Sequence, residues 1–144
     1  MLALILTLAL LAPDPHLLAI LQDIGRHGSS STFDDMEAAA FIVRDSDGRY
    51  GCVLWPQNTA SIRGARYSGV LPPGTVAIAH THPFIAEQPS KGDIAQAKKI
   101  QMPIYVISRW SLYVAEPSGE VIPVIVRRDW TRSPKPAELL TERK

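Results

Sequence analysis

The chain has 144 residues, 46% of them hydrophobic and 20% charged, with a formal net charge of +1. That length suits one domain with a real core. Near-neutral charge, with no basic stripe interleaved with aromatics, gives no sign of a nucleic-acid partner. A single cysteine, Cys52, excludes an intramolecular disulfide and leaves a zinc ribbon or a thiol protease without support.

Met1 to Ala12 is apolar except for Thr7, and Pro13-Asp14-Pro15 ends the run. It is too short to span a bilayer and suits the core of a signal peptide better. The basic residues that usually precede such a core are missing, and Ala12-Pro13 makes a poor cleavage site. Three readings stay open: an export or membrane-associated segment, a mis-set start or truncated leader, and a helix docked on the domain. The expectation is a hydrophobic leader over 1–13, signal-like or membrane-associated, with residues 1–12 able to associate with a membrane. An exported or membrane-associated location is slightly favoured over a cytoplasmic one.

Leu17, Leu18, Ile20, Leu21 and Ile24 recur at helical spacing, which predicts an amphipathic helix over His16–Gly25. His16 and His27 fall near its ends and read as surface residues. A serine-rich connection follows. Ala38–Arg44 and Tyr50–Trp55 then predict a hairpin turned by Asp45-Ser46-Asp47-Gly48. Asp45-x-Asp47-Gly48 lacks the remaining ligands of a calcium loop and reads as a turn. Cys52, inside the second strand, reads as a buried inert thiol. Pro56–Pro73 has few strand signals. Its Arg63 and Arg66 have the chemistry to meet a substrate carboxylate, and equally that of a solvated surface.

Thr75–His82 is a short apolar run after turn chemistry at Leu71–Gly74, and it predicts a buried strand. Side chains alternate along a strand, so Val76, Ile78, His80 and His82 share one face. Two imidazoles two residues apart suit chelation there; on a helix they would not face each other. Pro89-Ser90-Lys91-Gly92-Asp93 then opens a predicted helix with Ser90 as N-cap and Asp93 in its first turn. Ser90-x-x-Asp93 by itself is an ordinary helix cap. With the strand before it, it completes a coherent set. His80, His82 and Asp93 can supply three ligands to zinc and leave a fourth position open, which is the pattern of a catalytic site.

Pro103–Ser108, Ser111–Ala115 and Val121–Val126 predict three further strands, the last two joined by a turn at Glu116–Gly119. Trp110 reads as a core anchor or a rim aromatic. Beyond Val126 the composition turns to arginine, lysine and proline, which predicts an exposed, mobile tail over 127–144. The fold class is α/β or α+β: a mixed, mostly antiparallel sheet flanked by helices, with the domain over 14–126.

His80-x-His82, seven residues, Ser90-x-x-Asp93 resembles the JAMM signature of the MPN+ (JAB) zinc metalloproteases. Pro83 and Pro89 fit that form, and Glu37, just ahead of Ala38–Val43, stands where the family has an upstream glutamate. Ala40 departs from a frequent glycine. The resemblance covers about residues 33–126 and implies an MPN/JAB-like, cytidine deaminase-like architecture. It implies Zn2+ held by His80, His82 and Asp93. It also implies Glu37 as general base on the nucleophilic water, and Ser90 as hydrogen-bond donor to the oxyanion. An N-cap serine accepts from backbone N–H groups, which leaves its own hydrogen for that second task. The implied substrate is a peptide or an isopeptide-linked protein. A noncatalytic MPN-like scaffold and a hydrolase of non-peptide amides are the alternatives.

Overall fold

A computed structural model describes residues 14–28, 38–55, 60–61, 64–65, 70–82 and 87–135. Its elements in chain order are α1 (Pro15–Gly28), β1 (Ala39–Arg44), β2 (Tyr50–Leu54), β3 (Ala60–Ser61), β4 (Gly64–Ala65), β5 (Thr75–Thr81), α2 (Lys91–Ile100), β6 (Ile104–Ile107), β7 (Leu112–Ala115) and β8 (Val121–Ile125). Six strands form one sheet in the order β2-β1-β5-β6-β7-β8, and β3 pairs with β4 apart from it. Every pairing in the large sheet is antiparallel except β5 with β6. A parallel pair needs a crossover, and α2 supplies it.

The predicted mixed, mostly antiparallel sheet with flanking helices is therefore present, and alternation along the strands explains its two faces. One face packs Ala40, Ile42, Ala77, Ala79, Ile107, Leu112 and Val114 against Leu17, Leu18, Leu21 and Ile24 of α1. The other packs Phe41, Ile78, Ile104, Val106 and Ala115 against Ile94, Ala97 and Ile100 of α2. Each helix buries one stripe and leaves the rest to solvent.

Asp14 starts α1, where its carboxylate accepts from the His16 N–H at 2.8 Å, and Pro15 takes the first helical position. The helix runs three residues past Gly25. A Cβ there would meet Thr131 Cγ2 at 2.5 Å and Ile107 Cγ2 at 3.0 Å, so only glycine allows this close approach. Gly25→Ala should gain about 1 kcal/mol of helix propensity and lose roughly 1–3 kcal/mol to overpacking. We expect a net loss of stability, read as a lower urea midpoint; a higher midpoint would contradict this packing.

The β1–β2 turn uses its acid internally. Asp45 Oδ1 accepts from the N–H groups of Asp47 and Arg49, both at 2.9 Å, and Gly48 takes a positive φ of 80°. Cys52 is exposed rather than buried, because β2 is an edge strand of which only the first residues are covered. At the other edge Pro123 of β8 removes an N–H that would otherwise offer itself for pairing.

Residues 127–135 expose Arg127, Arg128, Arg132, Pro134 and Lys135, as their composition suggests, yet the segment is held on the domain. Trp130 is fully buried and Thr131 nearly so. The Trp130 indole N–H donates to the carbonyls of Ser108 and Ser111 at 2.8 and 3.0 Å. From α1, the Gln22 amide donates to the carbonyls of Trp130 and Lys135, and Arg26 donates to those of Thr131 and Ser133. Burial of the indole and these polar ties hold the segment on the domain. Residues 136–144 lie outside the described residues.

The expectation of membrane association through residues 1–12, with an exported or membrane-associated location, is corrected. Among the described residues no helix is long and apolar enough to cross a membrane. The longest, α1, has 14 residues, against roughly 20 needed to span the hydrocarbon core. Residues 1–12 themselves lie outside the described residues.

Candidate metal centre

His80 is the penultimate residue of β5, and His82 follows the strand's end. Both lie on the face that α2 covers, as the alternation with Ile78 requires. The backbone around them is held from both sides. On the β1 side, Thr81 N–H donates to the Ala38 carbonyl and Ala38 N–H to the Thr81 hydroxyl, each at 2.9 Å. On the β6 side, His82 N–H donates to the Ile107 carbonyl at 2.8 Å. The histidines thus stand on a three-stranded support rather than on a free loop.

Asp93 comes to them from the start of α2. It shares a helix face with Ala97, one turn on, and Ala97 is fully buried against the sheet. The same packing therefore turns the Asp93 carboxylate toward the histidine strand. His80 Nε2 lies 2.9 Å from Asp93 Oδ1, and His82 Nε2 lies 3.5 Å from Asp93 Oδ2. The imidazole centroids are 4.6 Å apart, with the rings nearly perpendicular. One ligand atom from each of the three residues can be chosen so that all lie within 4.8 Å of one another. Donors of a tetrahedral zinc site with bonds of roughly 2.0–2.1 Å sit about 3.3 Å apart. The three donors need to shift by no more than about 1.5 Å to reach that spacing, and the set of two imidazoles and a carboxylate suits zinc.

The cluster is recessed but open to solvent, with side-chain exposures of 13% for His80, 8% for His82 and 13% for Asp93. Burial on its own would raise the Asp93 carboxyl. The neighbouring His80 and hydrogen bonds from Ser90 outweigh it and hold the group at about 2. Asp93 is therefore an anion at neutral pH, the form that a cation requires.

Ser90 caps α2 as predicted: its hydroxyl oxygen accepts from Asp93 N–H at 3.1 Å. The expectation that capping leaves its hydrogen free needs correction. Ser90 Oγ donates that hydrogen to Asp93 Oδ2 at 2.9 Å, and Ser90 N–H donates to the same oxygen at 2.7 Å. Oδ2 is thereby tethered, and Oδ1 is left facing His80. In this arrangement Ser90 fixes the orientation of the Asp93 carboxylate.

Glu37, the predicted base, lies outside the described residues, as do Arg63 and Arg66. The next residue after Glu37 is Ala38, whose hydrogen bonds to Thr81 fall between the two histidines in sequence. Sequence reasoning missed the Ser90 tether on Asp93; the capping-box spacing was the signal available for it. It also left Trp110 undecided between core and rim. Trp110 is 41% exposed at the β6–β7 turn, next to the strand that supports His82.

No family model matches this chain, and no curated protein and no solved structure matches it either.

Proposed function

We propose that this protein is a zinc-dependent hydrolase of amide bonds, a peptidase or isopeptidase of the JAMM/MPN+ type. One observation carries the reading: His80, His82 and Asp93 converge in space from a sequence spaced H-x-H-x7-S-x-x-D. The mixed sheet with a helix start facing a strand end supports the MPN-like assignment. We take the domain to start at residue 14 and to include the packed stretch through 135.

Zinc, when bound, supplies Lewis acidity and brings the pKa of a coordinated water toward neutrality. The chain's residues do the rest. His80, His82 and Asp93 would hold the ion, the histidines through ring nitrogens and Asp93 through its carboxylate. Ser90 holds Asp93 Oδ2 and so keeps the carboxylate oriented. Glu37 accepts the proton of the attacking water and returns it to the leaving amine. The hydrogen bonds between Ala38 and Thr81, which lies between the two histidines, support that role, since Glu37 immediately precedes Ala38 in sequence. For Ser90 to donate to an oxyanion it must release Asp93 Oδ2, whose Ser90 N–H bond remains as an anchor.

A noncatalytic scaffold would have no need of an intact ligand set, and this chain keeps all three residues in register. The test is metal content followed by turnover. Purified protein reconstituted with zinc should hold one ion per chain and cleave a peptide or isopeptide-linked substrate. Protein that takes up no stoichiometric zinc would end the enzyme reading; protein that binds zinc but cleaves neither substrate would end the peptidase reading.

A further inference from the structure

We propose that the β6–β7 turn and the segment beside it form a docking surface for an acidic stretch of polypeptide next to the candidate metal centre. Arg109 and Trp110 form the tip of the turn, with the Arg109 guanidinium 5.1 Å from the centroid of the Trp110 ring. Residues 128–130 run alongside: Arg128 N–H donates to the Trp110 carbonyl at 3.1 Å and Trp130 N–H to the Arg109 carbonyl at 3.2 Å. The buried Trp130 indole anchors this pair of segments from below. The tip is therefore a rigid platform.

Its charge is one-sided. Arg109-Trp110 and Arg127–Arg132 contain four arginines and one aspartate, a local charge of +3 in a chain whose total is +1. Asp129 is occupied by Arg109, at 2.6 and 3.1 Å. Arg127 and Arg128 are exposed, and neither has an ion pair among the described residues. Arg127 has a positive φ of 55°, a strained conformation for a side-chain-bearing residue, two residues after β8 ends. An exposed tryptophan thus shares these paired segments with two arginines that have no ion pair among the described residues, and tryptophan and arginine are residue types enriched at interface hot spots. Arginine forks match carboxylates in geometry as well as in charge.

The surface is also near the candidate centre. The His82 N–H bonds to the Ile107 carbonyl, and Arg109 is two residues beyond Ile107. The distance from His82 to the tip is roughly 10–15 Å, which an extended peptide covers in about three or four residues. Acidic side chains a few residues from the cleaved bond would thus reach the arginines. That the occupant is a polypeptide rests on the amide-hydrolase reading; the charge and the exposed tryptophan do not.

The test is binding to metal-free, full-length protein at low salt, followed by fluorescence anisotropy. The probe is a fluorescein-labelled peptide of alternating glutamate and glycine, with its glutamine counterpart as control. The glutamate peptide should bind saturably and the glutamine peptide at least about tenfold more weakly, with affinity falling as salt rises. Trp110→Ala, and Arg127→Gln with Arg128→Gln, should each weaken the glutamate peptide about tenfold and leave zinc content unchanged. Equal binding of both peptides, or variants that bind like the wild type, would overturn the proposal. So would binding of single-stranded oligothymidine or phosphatidylserine vesicles with no binding of the peptide. Because the readout uses no metal, a failed hydrolase reading leaves this result standing, and a failed peptide result leaves zinc-dependent turnover untouched.

Discussion

His80→Ala and Asp93→Ala should each abolish stoichiometric zinc binding and, with it, hydrolysis. Removing even the partner of a ligand typically costs 10–100-fold in metal affinity, so losing one of three ligands should cost more than about 100-fold. The folded state offers an independent readout. Zinc at about 100 times its dissociation constant stabilises a protein that binds it only when folded by about 2.7 kcal/mol. For a domain of this size that raises Tm by roughly 5–10 °C. The wild type should show this rise and both variants should not. Asp93→Ala also breaks the reciprocal cap at the start of α2, which costs on the order of 1 kcal/mol. Its metal-free melting temperature should therefore fall, whereas zinc addition should leave it where it is. Asp93→Asn separates the two effects, because it keeps the volume and much of the hydrogen bonding but loses the charge. Zinc stabilisation as large in His80→Ala as in the wild type would remove His80 from the ligand set.

How much of this was legible in sequence depended on how local the determinants were. The strand carrying His80 and His82 was readable because alternation and turn residues are properties of adjacent positions. The start of α2 was readable because a cap is a four-residue pattern. Their meeting required one further step, that the helix pack back on the sheet, and Ala97 one turn beyond Asp93 makes that packing. The segment after β8 was legible in its exposed arginines and not in its anchor, for the opposite reason. Its arginines and prolines signal exposure, while Trp130 is buried by partners more than a hundred residues earlier, in α1, and by the β6–β7 turn. Gly25 reads as a helix stop, yet its role is set by Thr131 and Ile107, which no local pattern can announce. Cys52 sits in an apolar run, but the run forms an edge strand, and edge position is a property of sheet order rather than of the strand.

Glu37→Gln should leave zinc binding intact and reduce hydrolysis by about 10²–10⁴-fold, the usual contribution of a general base. The amide keeps the size of the side chain and its capacity to hold a water, and loses only the ability to take its proton. Ser90→Ala should behave differently. The Ser90 hydroxyl donates to Asp93 Oδ2 and accepts from Asp93 N–H, so its loss should weaken zinc affinity about tenfold or more as well as turnover. The two variants therefore have separate signatures: turnover lost at full zinc occupancy for Glu37→Gln, and turnover recovered in part by excess zinc for Ser90→Ala. What excess zinc fails to restore in Ser90→Ala measures donation to the oxyanion, a task that the hydroxyl can perform only by letting go of Asp93. Glu37→Gln protein that turns over at the wild-type rate would take the base away from Glu37 while leaving the ligand set intact. A Ser90→Ala protein with unchanged zinc affinity would show that Ser90 N–H alone is enough to hold Asp93 in place.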